Sequence, residues 1–188
     1  LLFGGNSMVT LSDSEKEVFR DSVVKFLHQQ VLPFYQDWEK QGIWPRDLWL
    51  SMGDSGCLCG DQPVEYGGYS ASFELSCIVV HEIAKAGLGA LASGVAVHSD
   101  IVAPYILHLG SEEQKQRMLP MMATGEVVGA IAMTEPGAGS DLQSITTSAV
   151  RDGDIYIING AKTFITNGQT ANLVCLVCLL YTSPSPRD

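Results

Sequence analysis

Residues 125–141 read Gly125-Glu-Val-Val-Gly-Ala-Ile-Ala-Met-Thr-Glu-Pro-Gly-Ala-Gly-Ser-Asp141, and the hydrophobic period of the chain changes inside this stretch. Before it, apolar residues recur at helical spacing. Within it, Val127, Val128, Ala130 and Ile131 form a short β-compatible run that ends in a Pro- and Gly-punctuated loop, Thr134–Asp141. Toward the N-terminus, Ser12 and Glu15 have capping-box spacing, and Phe19, Val23, Phe26, Leu27 and Val31 follow at helical period until Pro33. A second helix opens at Pro45 and carries Leu48, Trp49 and Met52 toward Gly53 or Gly56. Residues 61–69, with Pro63, Gly67 and Gly68, read as a loop. Leu75, Ile78, Val79, Ile83 and Ala86 make one apolar stripe, and the small residues from Gly87 to Val97 suit close packing between helices. Ser111 and Gln114 repeat the capping-box spacing, with Pro120 and Gly125 expected to close that helix.

Beyond the stretch the reading is β. Residues 145–150 and 155–158 flank Asp152-Gly-Asp154, a hairpin signal, and Asn159-Gly160 makes a second turn. Residues 164–167 are expected to continue extended, which would point Phe164 and Thr166 to one face, and residues 171–180 to form a buried strand. The expected fold class is α+β and multi-domain. An unassigned segment covers residues 1–11, an all-α helical domain 12–125, and the start of a β-domain 126–179. Residues 180–188, with two prolines and two serines after a strand-like run, do not continue that strand.

Composition narrows the function classes. The 188 residues carry 21 acidic and 11 basic side chains, a formal charge of −10, and no Lys/Arg cluster, which speaks against a nucleic-acid partner. No uninterrupted apolar run reaches the roughly 18 residues of a membrane span, so none is expected. Five cysteines, an odd number in a chain this rich in apolar residues, suit a reducing compartment better than a disulfide scaffold.

Several motif fragments fail on physical grounds. Gly87-Leu-Gly-Ala-Leu-Ala92 has dinucleotide-fingerprint spacing but follows a helical pattern, where a strand is required. His81-Glu-Ile-Ala-Lys85 places Lys85 where a zinc helix needs its second His. Cys175-Leu-Val-Cys178 would put its thiols on opposite faces of a strand, and Cys57 and Cys59 read as core. No metal site is expected. His28, His98 and His108 read as isolated surface or satisfied core histidines. The loop Thr134–Asp141 is the strongest candidate. Gly137 and Gly139 let backbone N–H groups approach a ligand, and Thr134 and Ser140 supply hydroxyls; a purely structural turn satisfies the same pattern.

Ala130-Ile-Ala-Met-Thr-Glu-Pro-Gly-Ala-Gly-Ser-Asp141 and Asn159-Gly-Ala-Lys-Thr-Phe-Ile-Thr-Asn-Gly168, at their mutual spacing, resemble the acyl-CoA dehydrogenase family. The likeness extends through Trp38-Glu-Lys40, Trp49, Glu65-Tyr-Gly-Gly68, His98-Ser99 and Gly110-Ser-Glu-Glu-Gln114. Asp141-Leu-Gln143 and Phe164, where many relatives have Trp, look most like the long-chain type. The resemblance implies a helical N-terminal domain, a β-barrel-like middle domain begun here, and a C-terminal helical bundle absent from this chain. The departure from the family pattern after Leu179 marks residues 180–188 as an expected non-native tail.

By the same resemblance, Ile131, Ala132, Met133, Thr134, Gly139 and Ser140 would line FAD, with Ser140 also facing the substrate's CoA portion. Phe164 and Ile165 would pack beside the flavin, and Thr166 would aim its hydroxyl toward the N5 region. The implied reaction is α,β-dehydrogenation of fatty acyl-CoA thioesters in fatty acid β-oxidation. Electron-transfer flavoprotein would be the electron acceptor and the full protein a homo-oligomer. The location would be the mitochondrial matrix if eukaryotic, the cytoplasm otherwise. The family's base is a Glu of the C-terminal domain, so no catalytic residue is expected in this chain. Glu65, Glu82, Glu112, Glu126 and Glu135 are not substitutes. Two other readings stand beside this one: an acyl-CoA oxidase-like relative, and a short non-catalytic protein that binds acyl-CoA or a partner.

Overall fold

Ser12 opens the helical part of the chain by bonding in both directions. Its Oγ accepts from the Glu15 N–H at 3.4 Å, and its own N–H donates to Glu15 Oε2 at 2.8 Å. The computed structural model describes residues 9–181. Of the expected foreign tail, 180–188, residues 182–188 lie outside the described residues, as do the first eight residues of the unassigned segment; Leu180 and Tyr181 instead belong to a paired strand. Helix α1 (Asp13–Phe26) continues as a wider π-helical turn, Leu27–Val31. Helix α2 (Tyr35–Gln41) was not expected; it is about two turns closed by Gly42 at φ 71°, too brief to show a period. Helix α3 (Arg46–Asp54) follows Pro45, which caps it from outside.

Helix α4 (Glu74–Lys85) buries Leu75, Ile78, Val79 and Ile83, the stripe read from the sequence. Helix α5 (Gly89–Ala96), a π-helical turn (Val97–Val102) and α6 (Ala103–Leu109) run on as one rod. This 21-residue helix, Gly89–Leu109, is long and apolar enough by length and composition to cross a membrane. Uninterrupted apolar runs missed it because Ser93, His98, Ser99 and Asp100 break them. Its Leu91, Val95, Val102 and Ala103 are packed in the core of the helical domain. Helix α7 (Glu112–Ala123) has the Ser111/Gln114 capping box in full, and it passes through Pro120 rather than stopping there. Proline's fixed φ is helical, so the helix tolerates the lost N–H and the crowding of the preceding turn this close to its end at Ala123, ahead of Gly125 (φ 77°).

Trp49 is fully buried at the centre of this core, its ring 5.3 Å from that of His98. His98 is equally buried and links two chain segments. The Gly129 N–H donates to Nδ1 at 3.0 Å, which leaves the proton on Nε2 to be donated to Met122 O at 3.0 Å. It is the satisfied core histidine of the sequence reading.

Among the described residues five strands follow: β1 (Gly129–Ala132), β2 (Ser148–Asp152), β3 (Ile155–Asn159), β4 (Leu173–Leu176) and β5 (Leu179–Tyr181). β1 pairs with β4 in parallel, with Gly129 opposite Leu173. β2 pairs antiparallel with β3, as the hairpin signal required, and in parallel with β5. Two sequence expectations are corrected here. Residues 171–180 hold two short strands in different sheets, only half-buried or exposed, because the chain passes from pairing with β1 to pairing with β2 between Leu176 and Leu179. Residues 164–167 are a turn: Phe164 (φ 56°) and Asn167 (φ 63°) are left-handed, so no strand alternation places Phe164 and Thr166 on a common face.

Two comparisons test this fold. Gly125 and Gly153 are both left-handed (φ 77° and 61°), but an added Cβ meets Trp49 O at 2.1 Å in the first and open space in the second. Gly153→Ala should therefore cost about 1 kcal/mol, the conformational penalty alone, and Gly125→Ala clearly more, read as denaturant midpoints. The second comparison concerns pH. Burial pushes His98 down to about 4 and Asp100 up to about 6. As pH falls from about 6.5 to 4, the unfolded chain protonates its histidine and the folded one does not, withdrawing up to about 3 kcal/mol of stability. Asp100, helped in the same sense by the raised Asp61, opposes that loss by binding its proton first in the folded state. Asp100→Asn should make the unfolding free energy fall more steeply between pH 6 and 4 than in the unaltered chain.

Candidate functional site

Strand β1 delivers residues 131–134 to a loop folded around one carboxylate. Glu135 closes a tight turn with Ala138, through backbone bonds of 2.9 and 3.1 Å. Its buried side chain accepts from Thr146 N–H (2.8 Å), Thr146 Oγ1 (2.9 Å), Thr147 N–H (2.9 Å) and Lys162 Nζ (2.8 Å). The Lys162 ammonium above all, then the threonine donors, hold the carboxyl well below the usual range, so it is anionic at any working pH. Lys162 Nζ also donates to Met133 O at 2.7 Å, and Thr163 N–H donates to Thr134 O at 3.0 Å. These bonds bring the two glycine-rich blocks of the sequence side by side.

Around this frame the expected contact residues are distributed unevenly. Ala132 is buried; Ile131, Met133 and Thr134 are half-buried; Gly139 and Ser140 are exposed. A Cβ added at Gly137 or Gly139 would meet nothing within 4 Å, so the loop borders open space. The Phe164 ring is 93% exposed. Ile165 and Thr166 instead line a cavity of about 390 Å³ together with Gly42, Trp44, Ala90 and Ser93 of the helical part. Neither residues 131–140 nor Phe164 border that cavity. The Lys162 side chain and the Thr163 backbone thus join the two blocks, and Ile165 and Thr166 border a cavity that residues 131–140 and Phe164 do not.

A family model for the acyl-CoA dehydrogenase N-terminal domain matches residues 13–126, and one for the acyl-CoA dehydrogenase middle domain matches residues 130–188. The chain belongs to the acyl-CoA dehydrogenase family. Long-chain specific acyl-CoA dehydrogenase, mitochondrial, from Sus scrofa is 44% identical over 166 residues, covering 88% of this chain and 38% of that protein. The crystal structure of acyl-CoA dehydrogenase from Geobacillus kaustophilus superposes with a TM-score of 0.84 at 50% identity, over 89% of this chain and 43% of the other. The structure of acyl-CoA dehydrogenase complexed with FAD from Bacillus anthracis gives a TM-score of 0.83 at 31% identity, over 90% and 29%. The chain thus spans about two-fifths of the length of the curated relatives it matches.

Within this member of the acyl-CoA dehydrogenase family, the site is held together by pairings between residues that the sequence reading named without joining them. Lys162 lies 27 positions from Glu135, and no local period relates them. Asn167 donates to Gly94 O and Gly129 O, from a loop that reads as strand. Three glutamates set aside as bases are tied up as acceptors: Glu82 by Arg20 at 2.5 Å, Glu112 by the Tyr66 hydroxyl at 2.9 Å, and Glu135 as above. Lys162→Met should leave the Glu135 carboxylate buried without its cation and lower the denaturation midpoint far more than Lys85→Met, whose ammonium is 67% exposed beside Glu82. The double variant Glu135→Gln/Lys162→Met should recover part of that loss.

Proposed function

We propose that the chain forms the N-terminal part of an FAD-dependent acyl-CoA dehydrogenase acting on fatty acyl-CoA thioesters in β-oxidation. The carrying observation is the Thr163 N–H to Thr134 O bond of 3.0 Å, which puts the two candidate cofactor blocks edge to edge. The residues present fit FAD. An aromatic ring left 93% exposed at a left-handed backbone position is held by the frame and not by its own burial. Beside that frame lie the half-buried Thr134 and the exposed hydroxyls of Ser140 and Thr166, and at residues 137 and 139 the backbone is bare. A flat ring system with polar edges calls for this combination of flat apolar surface, hydroxyls and free backbone donors.

In this reading Ile131, Ala132, Met133, Thr134, Gly139, Ser140, Phe164, Ile165 and Thr166 hold the cofactor, and Ser140 also meets the CoA portion of the substrate. FAD, when bound, supplies the two-electron acceptor for the hydride that leaves the β-carbon. Thr166 offers an O–H donor where negative charge accumulates, and the preorganised frame spares the reorganisation that water would need. Phe164 would supply flat apolar surface for the cofactor and shield it from water. The α-proton goes to a carboxylate outside this chain. Electrons pass on to an electron-transfer flavoprotein; the whole enzyme is a homo-oligomer, resident in the mitochondrial matrix if eukaryotic and in the cytoplasm otherwise.

The test uses the full-length protein. It should purify with FAD, and the flavin absorbance should bleach when a fatty acyl-CoA is added without oxygen. A protein that takes up no flavin overturns the reading, and rapid reoxidation by oxygen would favour an acyl-CoA oxidase. Thr166→Ala should weaken FAD binding about tenfold or more and slow bleaching, through a lost charge-assisted hydrogen bond. An unchanged affinity and rate would remove Thr166 from its role.

A further inference from the structure

Gly129, the first residue of β1, is gripped on both of its backbone polar groups by side chains from other segments. Its N–H donates to His98 Nδ1 at 3.0 Å, and its C=O accepts from Asn167 Nδ2 at 3.1 Å. The same Asn167 nitrogen donates at 2.9 Å to Gly94 O, in helix α5. An amide nitrogen has two hydrogens to give, and here both are used on carbonyls that belong to different parts of the fold. Space around the contact is closed on the helix side, where a Cβ at residue 94 would stand 2.8 Å from Asn167 Oδ1.

The loop that Asn167 anchors has little else to define it. Phe164 and Asn167, both left-handed (φ 56° and 63°), bracket Ile165 and Thr166. Non-glycine residues hold that conformation only where surrounding contacts over-determine it. At the near end the Thr163 N–H to Thr134 O bond ties the loop to the first block. At the far end the tie is Asn167, whose own C=O then accepts from Thr170 N–H (2.9 Å) and Ala171 N–H (2.8 Å).

We propose that Asn167 is a positioning residue: by bridging Gly94 O of the helical domain to Gly129 O of β1, it sets where Ile165 and Thr166 stand relative to Ile131–Thr134. It couples the packing of the helix Gly89–Leu109 to the geometry of the cofactor loop. This rests on the FAD reading above, and it assigns Asn167 no contact with cofactor or substrate.

Three substitutions in the full-length protein separate this role from backbone preference. Asn167→Gly keeps a residue at ease at positive φ and removes the amide. Asn167→Asp keeps the size and much of that tolerance, but turns a carboxylate toward two carbonyl oxygens. Gly94→Ala presses on the clamp from the helix without touching the loop's sequence. All three should weaken FAD affinity, Asn167→Gly by about tenfold for two lost hydrogen bonds, and should shift the visible flavin band and the flavin reduction potential. Gly153→Ala, in the β2–β3 turn, is the control: it should lower the melting temperature and leave band and potential where they were. The proposal is overturned if Asn167→Gly and Gly94→Ala retain the unaltered protein's affinity, band and potential, whatever happens to their melting temperatures. Absence of flavin from the unaltered protein would instead bring down the functional reading itself, before any variant is compared.

Discussion

The Glu135 carboxylate is the constraint around which the second half of the chain is arranged. Four donors converge on its two oxygens, from Thr146, Thr147 and Lys162. Those donors precede β2 and follow β3, so one side chain fixes the loop after β1 against both ends of the hairpin. A buried carboxylate is tolerable only when paired and fully hydrogen-bonded. Here that requirement is met by donors from both sides of the hairpin, so satisfying the carboxylate holds these segments together. Lys162 then reaches back to Met133 O, and Thr163 to Thr134 O follows from the same approach. The geometry of the candidate cofactor loops is thus a consequence of satisfying one buried charge.

The helical domain is joined to this frame by polar contacts of a second kind. His98, inside the π-helical turn of the long helix, takes the N–H of Gly129, and Asn167 takes its C=O. A π-turn widens the helix and re-aims the side chains it carries, and such turns recur at functional positions. With its imidazole neutral and nine-tenths or more buried, His98 is a fixed strut rather than a titrating switch near neutral pH. The first strand therefore starts at a point set by the core around Trp49, and ends at a point set by Glu135.

What was legible in the sequence was local. Both capping boxes form as their spacing requires, because Ser and Glu or Gln three apart meet within one turn. The Asp-Gly turn and the stripe of α4 follow for the same reason. The misreadings have more than one cause, and one of them was decided by partners distant in sequence. Thr163-Phe-Ile-Thr166 has strand propensity, but docking of Asn167 onto Gly94 and Gly129 holds the loop in a turn. Pro120 reads as a stop, yet the helix continues, with Thr124 N–H still donating to Pro120 O at 3.1 Å. The rod Gly89–Leu109 is hidden by His98 and Asp100, polar residues that a buried helix can carry when the histidine is bonded on both nitrogens. Among the site residues, the exposed hydroxyls and glycines were visible as composition. Glu135, Lys162 and Asn167, which hold them, were visible within the motifs, but nothing in the sequence paired Glu135 with Lys162 or Asn167 with Gly94 and Gly129.

That division bears on the chemistry. A general base needs an oxygen lone pair open to the substrate and a proton affinity near the working pH. Glu135 has neither: its oxygens are saturated, and Lys162 holds the carboxyl far below that range. Glu82 is buried against Arg20 and Lys85, and Glu112 receives the Tyr66 hydroxyl and the Gln116 amide. These carboxylates are spent on architecture. The groups left open to a ligand, the hydroxyls of Ser140 and Thr166 and the ring of Phe164, can bind and orient but are poor proton acceptors at neutral pH. A reaction that begins by removing a carbon-bound proton therefore cannot draw its base from Glu82, Glu112 or Glu135, the carboxylates this frame uses to hold itself together.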